Sequence, residues 1–234
     1  MKRILTTLSQ KWPEYILEIL VIVIGIYGAF ALDRWNENTA AINKEKILLN
    51  AVNNEFIANK EQFKKVVANH KQVYAHLQWL KQQMPFNQHT NKDSLHSHFR
   101  GTWTTQTFNP SASSIDAIVN TGSLDIIRNE ELRNLLVKWD DVLLDYQEEE
   151  NMAKDFHWGE YFSSWRTLID FDHFFDGGSG FIDVEVLNGR IAKNLIVQRS
   201  AHFRIILTDG ELEEIDEMLD RIIELTDQQV IATK

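Results

Sequence analysis

The stretch that most limits what this chain can become is EYILEILVIVIGIYGAFALDRWNEN, beginning at Glu14. From Ile19 to Leu32 no residue is charged. At helical rise that run reaches only about 21 Å, short of the ~30 Å hydrocarbon core of a bilayer. The flanks complete it. Trp12 and Trp35 bracket the run and stand roughly 34 Å apart along a helix. Indoles at the two headgroup layers have that spacing. Tyr15 and Tyr27 fit the same picture, and Pro13 is expected in the first helical turn.

Glu18 falls one turn inside the near interface, where its carboxylate can reach headgroups or water. At 100° per residue, Glu14, Glu18, Ile22, Gly25 and Ala29 share one stripe. Gly25-x-x-x-Ala29 is a small-xxx-small pair that lets a second helix approach closely. Glu18, Gly25 and Ala29 are therefore the expected binding residues of a helix–helix contact in the membrane; a passive anchor with incidental small residues is the alternative. Two other readings of the run exist. A cleaved signal peptide could use Ala29-Phe30-Ala31, with Lys2, Arg3 and Lys11 as its basic region, but Glu14 and Glu18 interrupt that pattern. A soluble core helix would be the third option, yet no later helix is as uniformly apolar. An uncleaved signal anchor is favoured: residues 1–12 a cytoplasmic tail, 13–35 the span, 36–234 a helical domain. Basic residues lie on both sides, Lys2, Arg3 and Lys11 against Arg34, Lys44 and Lys46, so the orientation rests on the short basic N-tail.

Composition narrows the function classes. The chain of 234 residues has 34 acids against 24 Lys plus Arg, a net charge of −10, which disfavours a polyanionic partner such as nucleic acid. There is no cysteine, so disulfides, thiolate metal sites and thiol catalysis are excluded. Three prolines and ten glycines favour helix.

Past Asn36 a helix is expected to run to Met84, where Pro85 ends it. Leu49, Phe56, Phe63, His70, Leu77 and Met84 form one heptad position; Val52, Asn59, Val66, Val73 and Leu80 form the next. Nine of these eleven are apolar, a seam for packing in a bundle or coiled coil. Lys60, Glu61, Lys64, Lys65 and Lys71 read as a solvated face. No breaker separates Pro13 from Pro85, so span and seam can form one rod. Residues 85–112 read as loop with a short helix near Leu95–Phe99; TWTTQTF is strand-like but has no obvious partner. Ser111 or Ser113 is expected to cap a short helix through Val119, closed by Gly122. Asn129 is expected to cap a long helix running past Met152 toward Leu168. DGGSG at 176–180 reads as a turn. A helix from Gly189 to Leu207 follows, and Thr208-x-x-Glu211 reads as a capping box for a last helix carrying Leu212, Ile215, Leu219 and Ile222; one continuous helix through Gly210 is the alternative. The fold class is therefore all-α: an N-terminal transmembrane helix continuing into a long helix, packed in an antiparallel helical bundle.

Two segments resemble a known family. EILVIVIGIYGAFALDRWNE is similar to the N-terminal signature of an uncharacterised bacterial family of single-pass membrane proteins, a domain of unknown function. Its members carry a span of the type G-E-I-x-L-V-x-I-G-I-x-x-A-L-x-x-x-x-W-N-E. SSIDAIVNTGSLDIIRNEELRNLL, from Ser113, resembles its second signature, a serine-led short helix and then S-G-x-L-x-L-I-x-N-x-x-L-R. Leu17 stands where members often have Gly, and Thr121 where they often have Ser. The resemblance implies an anchored helical domain and brings no catalytic residues; Glu18 is a feature of the family's span.

Nucleotide-binding, zinc-protease and serine-hydrolase motifs are absent. Three constellations remain. His89, His96 and His98, near Asp93, could ligate a divalent metal or belong to a solvated loop. Asp170, Asp172, His173 and Asp176 could hold a cation or act in hydrolysis, or simply form a helix end and turn. Arg128, Asn129, Glu130 and Arg133 could form a binding surface, or a capped helix start. The acidic runs DYQEEE and ELEEIDE read as solvated helix faces. The bland reading explains each residue set, so no metal, cofactor or catalytic residue is assigned. The expected function is a membrane-anchored, non-catalytic helical protein of the bacterial inner membrane, with a periplasmic domain. It would act as scaffold, sensor-like module or accessory subunit. Its partners would be the lipid bilayer and, through the span and the long helix, a second copy or another membrane protein. The alternatives are a metal-dependent hydrolase using the His or Asp clusters and a proton-coupled membrane subunit using Glu18.

Overall fold

The computed structural model describes the backbone of residues 2–176, 180 and 182–232, with side chains of residues 12, 15–176, 180 and 182–227. A single helix frames everything else. α1 runs uninterrupted from Lys2 to Gln83, roughly 120 Å at helical rise. Pro13 therefore lies inside this helix and not in its first turn. From Tyr15 to Ala41 every residue of α1 is exposed, and the span makes no burying contact with the rest of the chain. The first buried residue among those described is Glu45.

Beyond that point α1 enters a bundle with α4 (Glu130–Phe156), α8 (Arg190–Thr208) and α9 (Glu211–Ala232). Cross-contacts fix their directions. Phe56, Phe63 and His70 of α1 meet Trp139, Tyr146 and Glu150 of α4 in ascending order, so these two run parallel. Asn53 meets Thr226 and Lys60 meets Asp216, so α9 runs antiparallel to α1. Further along, His70 meets Phe203 and Gln78 meets Ser200, so α8 is antiparallel as well. α8 and α9 thus form one descending path bent at Gly210, whose φ of 97° is open only to glycine. Thr208 makes no capping box: its hydroxyl donates back to the Arg204 carbonyl within α8.

The heptad seam is the core. Leu49, Val52, Phe56, Phe63, Val66, Val73, Leu77 and Leu80 are buried, as are the polar exceptions Asn59 and His70; Met84 is half-buried. The seam is filled by the chain's own α4, α8 and α9. Lys60 departs from the expected solvated face. It is buried and reaches across to Asp216 and Asp220 of α9, 2.8 Å from each. Burial alone would push its ammonium pKa down, but the two aspartates raise it overall.

Between α1 and α4 the chain first forms α2 (Lys92–Gly101) and then descends along α1 as a strap. TWTTQTF is irregular, not a strand. Polar groups along the strap are satisfied by helices: Asn69 bonds Thr104, His70 bonds the Gln106 carbonyl, and Asn59 makes a reciprocal pair with Ser111. α3 (Ser113–Asn120) has no side-chain cap of its own. Glu55 of α1 takes that place and accepts from the Ser114 amide at 3.0 Å and from both serine hydroxyls. Gly122 adopts φ 65° and ends that turn, as expected. Asn129 caps α4 by accepting from the Leu132 amide at 2.9 Å.

At the far end from the span, α4 passes through a π-helical turn, His157–Tyr161, into α5 (Phe162–Trp165). α6 (Phe171–Phe175) and α7 (Val184–Asn188) follow. Together with α2 they enclose an aromatic cluster of Phe99, Trp103, Tyr161, Trp165 and Phe174. Of DGGSG, residues 177–179 lie outside the described residues.

Candidate functional site

Four places bring chemistry-bearing side chains together. The first is the exposed stripe of the span. Glu18, Gly25 and Ala29 lie on continuous helix and face away from the protein. Gly25 has nothing within 4 Å of where a Cβ would sit.

The second is the loop histidines, which the structure does not gather into one site. His89 is exposed. His96 is buried and accepts from the Gly180 amide. His98, on the opposite side of α2, faces α1, where its Nδ1 lies 3.0 Å from Nδ1 of His76. The indole of Trp79 stacks on His98, rings 4.1 Å apart and 3° from parallel. Burial holds both imidazole pKa values below the ordinary value, and for His98 the facing His76 adds to the effect. His76 carried no sequence signal, since 22 residues separate it from His98.

The Asp170 group resolves into capping. Asp170 caps α6, accepting from the Asp172 amide at 3.0 Å, and its other oxygen pairs with His173 at 2.8 Å. Asp172 and Asp176 are exposed. The Arg128 group also proves structural. The Arg128 amide donates to buried Glu45, 2.7 Å away, and its guanidinium reaches Glu45 and Asn38 of α1. Arg133 donates to the Ile127 carbonyl, and Glu131 forms a two-pronged pair with Arg221 of α9. These contacts fasten the end of the bundle nearest the exposed apolar segment.

The third place is buried and was missed in the sequence. Glu150, 2% exposed, accepts from the Phe108 amide at 2.7 Å, and its second oxygen lies 3.5 Å from His70 Nε2. His70 Nε2 donates to the Gln106 carbonyl, so its Nδ1 is left with no partner among the described residues. A cavity of about 10 Å³, room for one water, adjoins both side chains. Burial pushes the Glu150 carboxyl up to about 7. Nearby, Arg199 is also buried, and no described carboxylate pairs with it. Its guanidinium donates to the Thr102 and Thr104 carbonyls and lies 4.7 Å from the centre of the Tyr161 ring. Burial holds its pKa down at about 10. Residues 102–108, which looked like loop, bond to His70, Glu150 and Arg199 alike, and periodicity is silent about such a run.

The fourth is the bend at Gly210, where carboxylate oxygens of Glu149, Asp209 and Glu211 lie within 4.8 Å of one another. Burial and then Glu149 push Glu211 up to about 7. No family model, curated protein or solved structure matches this chain.

Proposed function

We propose that this protein is a single-pass component of the bacterial inner membrane, N-terminus cytoplasmic and bundle periplasmic, that acts without catalysis as scaffold, sensor-like module or accessory subunit. One observation carries the reading. The apolar, Trp-bracketed segment is exposed throughout, yet it belongs to the same unbroken helix whose seam beyond Leu49 is filled by the chain itself. Exposed apolar surface of that length in water would be an aggregation site; in lipid it is satisfied. The Asp170 and Arg128 groups act as caps and clamps, which supports a role other than hydrolysis. With the seam filled, the Glu18–Gly25–Ala29 stripe is the surface left for a partner helix. The resemblance of the span and of the Ser113 segment to a family of anchored helical proteins agrees with this.

The absence of cysteine makes the test clean. Single cysteines at Ile22, Gly25 and Ala29 are compared with Ile24 and Phe30 by oxidative crosslinking in native membranes. Crosslinks that peak on the stripe, as a dimer or to a second protein found by mass spectrometry, are the expected result; a flat profile rejects the contact. Protease access in spheroplasts reports the orientation. Glu18→Gln should preserve the crosslink if the carboxylate only rests at the interface.

A further inference from the structure

His76 and His98 meet across the α1–α2 contact with their Nδ1 atoms 3.0 Å apart. Their placement is built, not accidental. The His98 ring is held flat against Trp79. The His76 ring lies directly over Gly101, where any Cβ would overlap it, so the glycine is what admits the imidazole. Both histidines are half-buried, open to solvent on one side.

We propose that His76 and His98 form a two-nitrogen site for a tetragonal divalent transition metal, Cu(II) above all, with water completing the coordination. Metal–imidazole bonds of 2.0–2.1 Å at right angles place two cis nitrogens about 2.9 Å apart, whereas a tetrahedral ion needs about 3.4 Å. The observed 3.0 Å, which a hydrogen bond between the two rings also spans, matches the first and is short for the second. Ligation needs a bare Nδ1 lone pair on each ring. The neutral imidazoles supply it once the proton on either Nδ1 moves to Nε2, and that proton need not leave the protein. The order of affinities among divalent ions reinforces the geometry, since nitrogen sites bind Cu(II) more tightly than Ni(II) or Zn(II). The site stands apart from the span, roughly 65 Å away along α1, and does not depend on the function proposed above.

Trp79 supplies a reporter, because a Cu(II) ion bound to an imidazole stacked on an indole quenches that indole's fluorescence. The full chain in detergent, stripped by chelator, is titrated with Cu(II) in a glycine-buffered series, by tryptophan emission and by electron paramagnetic resonance. One equivalent bound is expected, with nitrogen hyperfine structure from two imidazoles and at least tenfold preference over Zn(II). His76→Ala and His98→Ala should each weaken binding tenfold or more, and the double variant should abolish it. His89→Ala and His96→Ala should leave it unchanged. Trp79→Phe should keep the resonance signal and lose most of the quenching. Circular dichroism verifies that each variant is folded, and His76→Asn provides a second, milder removal of the ligand. No saturable binding, or an imidazole signal that persists in the folded double variant, overturns the proposal.

Discussion

Glu150 is a carboxylate held almost out of water, and its surroundings decide its charge. It has one strong donor, the Phe108 amide, and no cation in hydrogen-bonding contact. Desolvation therefore wins, and its pKa sits at about 7 against an ordinary 4.5. The folded state holds this proton in a pH range where the unfolded chain has already lost it. Stability from this group is full below the unfolded value and falls as pH rises through about 7. Gln at this position keeps the acceptor for Phe108 and never ionises. Glu150→Gln should thus match the parent near pH 4.5, gain on it steadily up to about pH 7.5 and hold a constant advantage above. Thermal unfolding of both proteins in the same detergent across that range measures the difference, and subtraction cancels the titrating groups that do not touch Glu150, Glu211 among them. A difference independent of pH would show that Glu150 titrates in the fold as it does in the unfolded chain. His70 shows how far the sequence went at this scale. Its place made it an exception in an apolar seam, but its partners, Gln106 and Glu150, come from the strap and from α4, and no helical period connects them to α1.

Helices with strong periodicity were legible before any coordinates; their junctions were not. The seam on α1, the Asn129 cap and the Gly122 turn follow from spacing and from the backbone needs of a helix end. The start of α3 did not follow, because its cap comes from another element: Glu55 serves the Ser114 amide. Nearby serines could not reveal that, since their hydroxyls donate to the same carboxylate. Likewise Lys60 looks solvated from its neighbours on α1 and is buried only because Asp216 and Asp220 of α9 descend beside it. The Thr208 box failed for the opposite reason. Gly210 in a left-handed conformation already ends α8 and bends the path, so the threonine is the end of one helix and not the cap of the next. A cap supplied from outside carries a clear expectation. Glu55→Ala should destabilise the bundle by about 1 kcal/mol, the usual worth of an N-cap. Ser113→Ala should cost less than half of that, since it removes an exposed donor only. Denaturant midpoints of the two variants decide the point, and a larger loss from Ser113→Ala would return the cap to the serine.

At the scale of the molecule, a fully exposed apolar segment and a packed bundle share a single helix. Along α1 an exposed apolar stretch comes first and core-facing residues afterwards, with a polar neck between them. Every buried residue among those described falls between Glu45 and Thr226, and the lowest clamp, Arg128 on Asn38 and Glu45, closes just above the neck. The core therefore borrows nothing from residues before 36. Stability of the domain comes from the seam, from the Lys60 and Arg221 pairs and from the strap, all of which a chain of residues 36–234 retains. That chain should fold in water without detergent. Its near-ultraviolet circular dichroism should match the full protein's, with a melting temperature within a few degrees, because the described residues of the removed segment bury no apolar area against the bundle. The full chain should partition into detergent and resist alkaline extraction from membranes. The two results separate the halves of the argument. A fragment that aggregates would mean that α1 needs its first turns to nucleate the bundle. A full chain found in the aqueous phase would mean that the exposed apolar stripe is covered by protein and not by lipid.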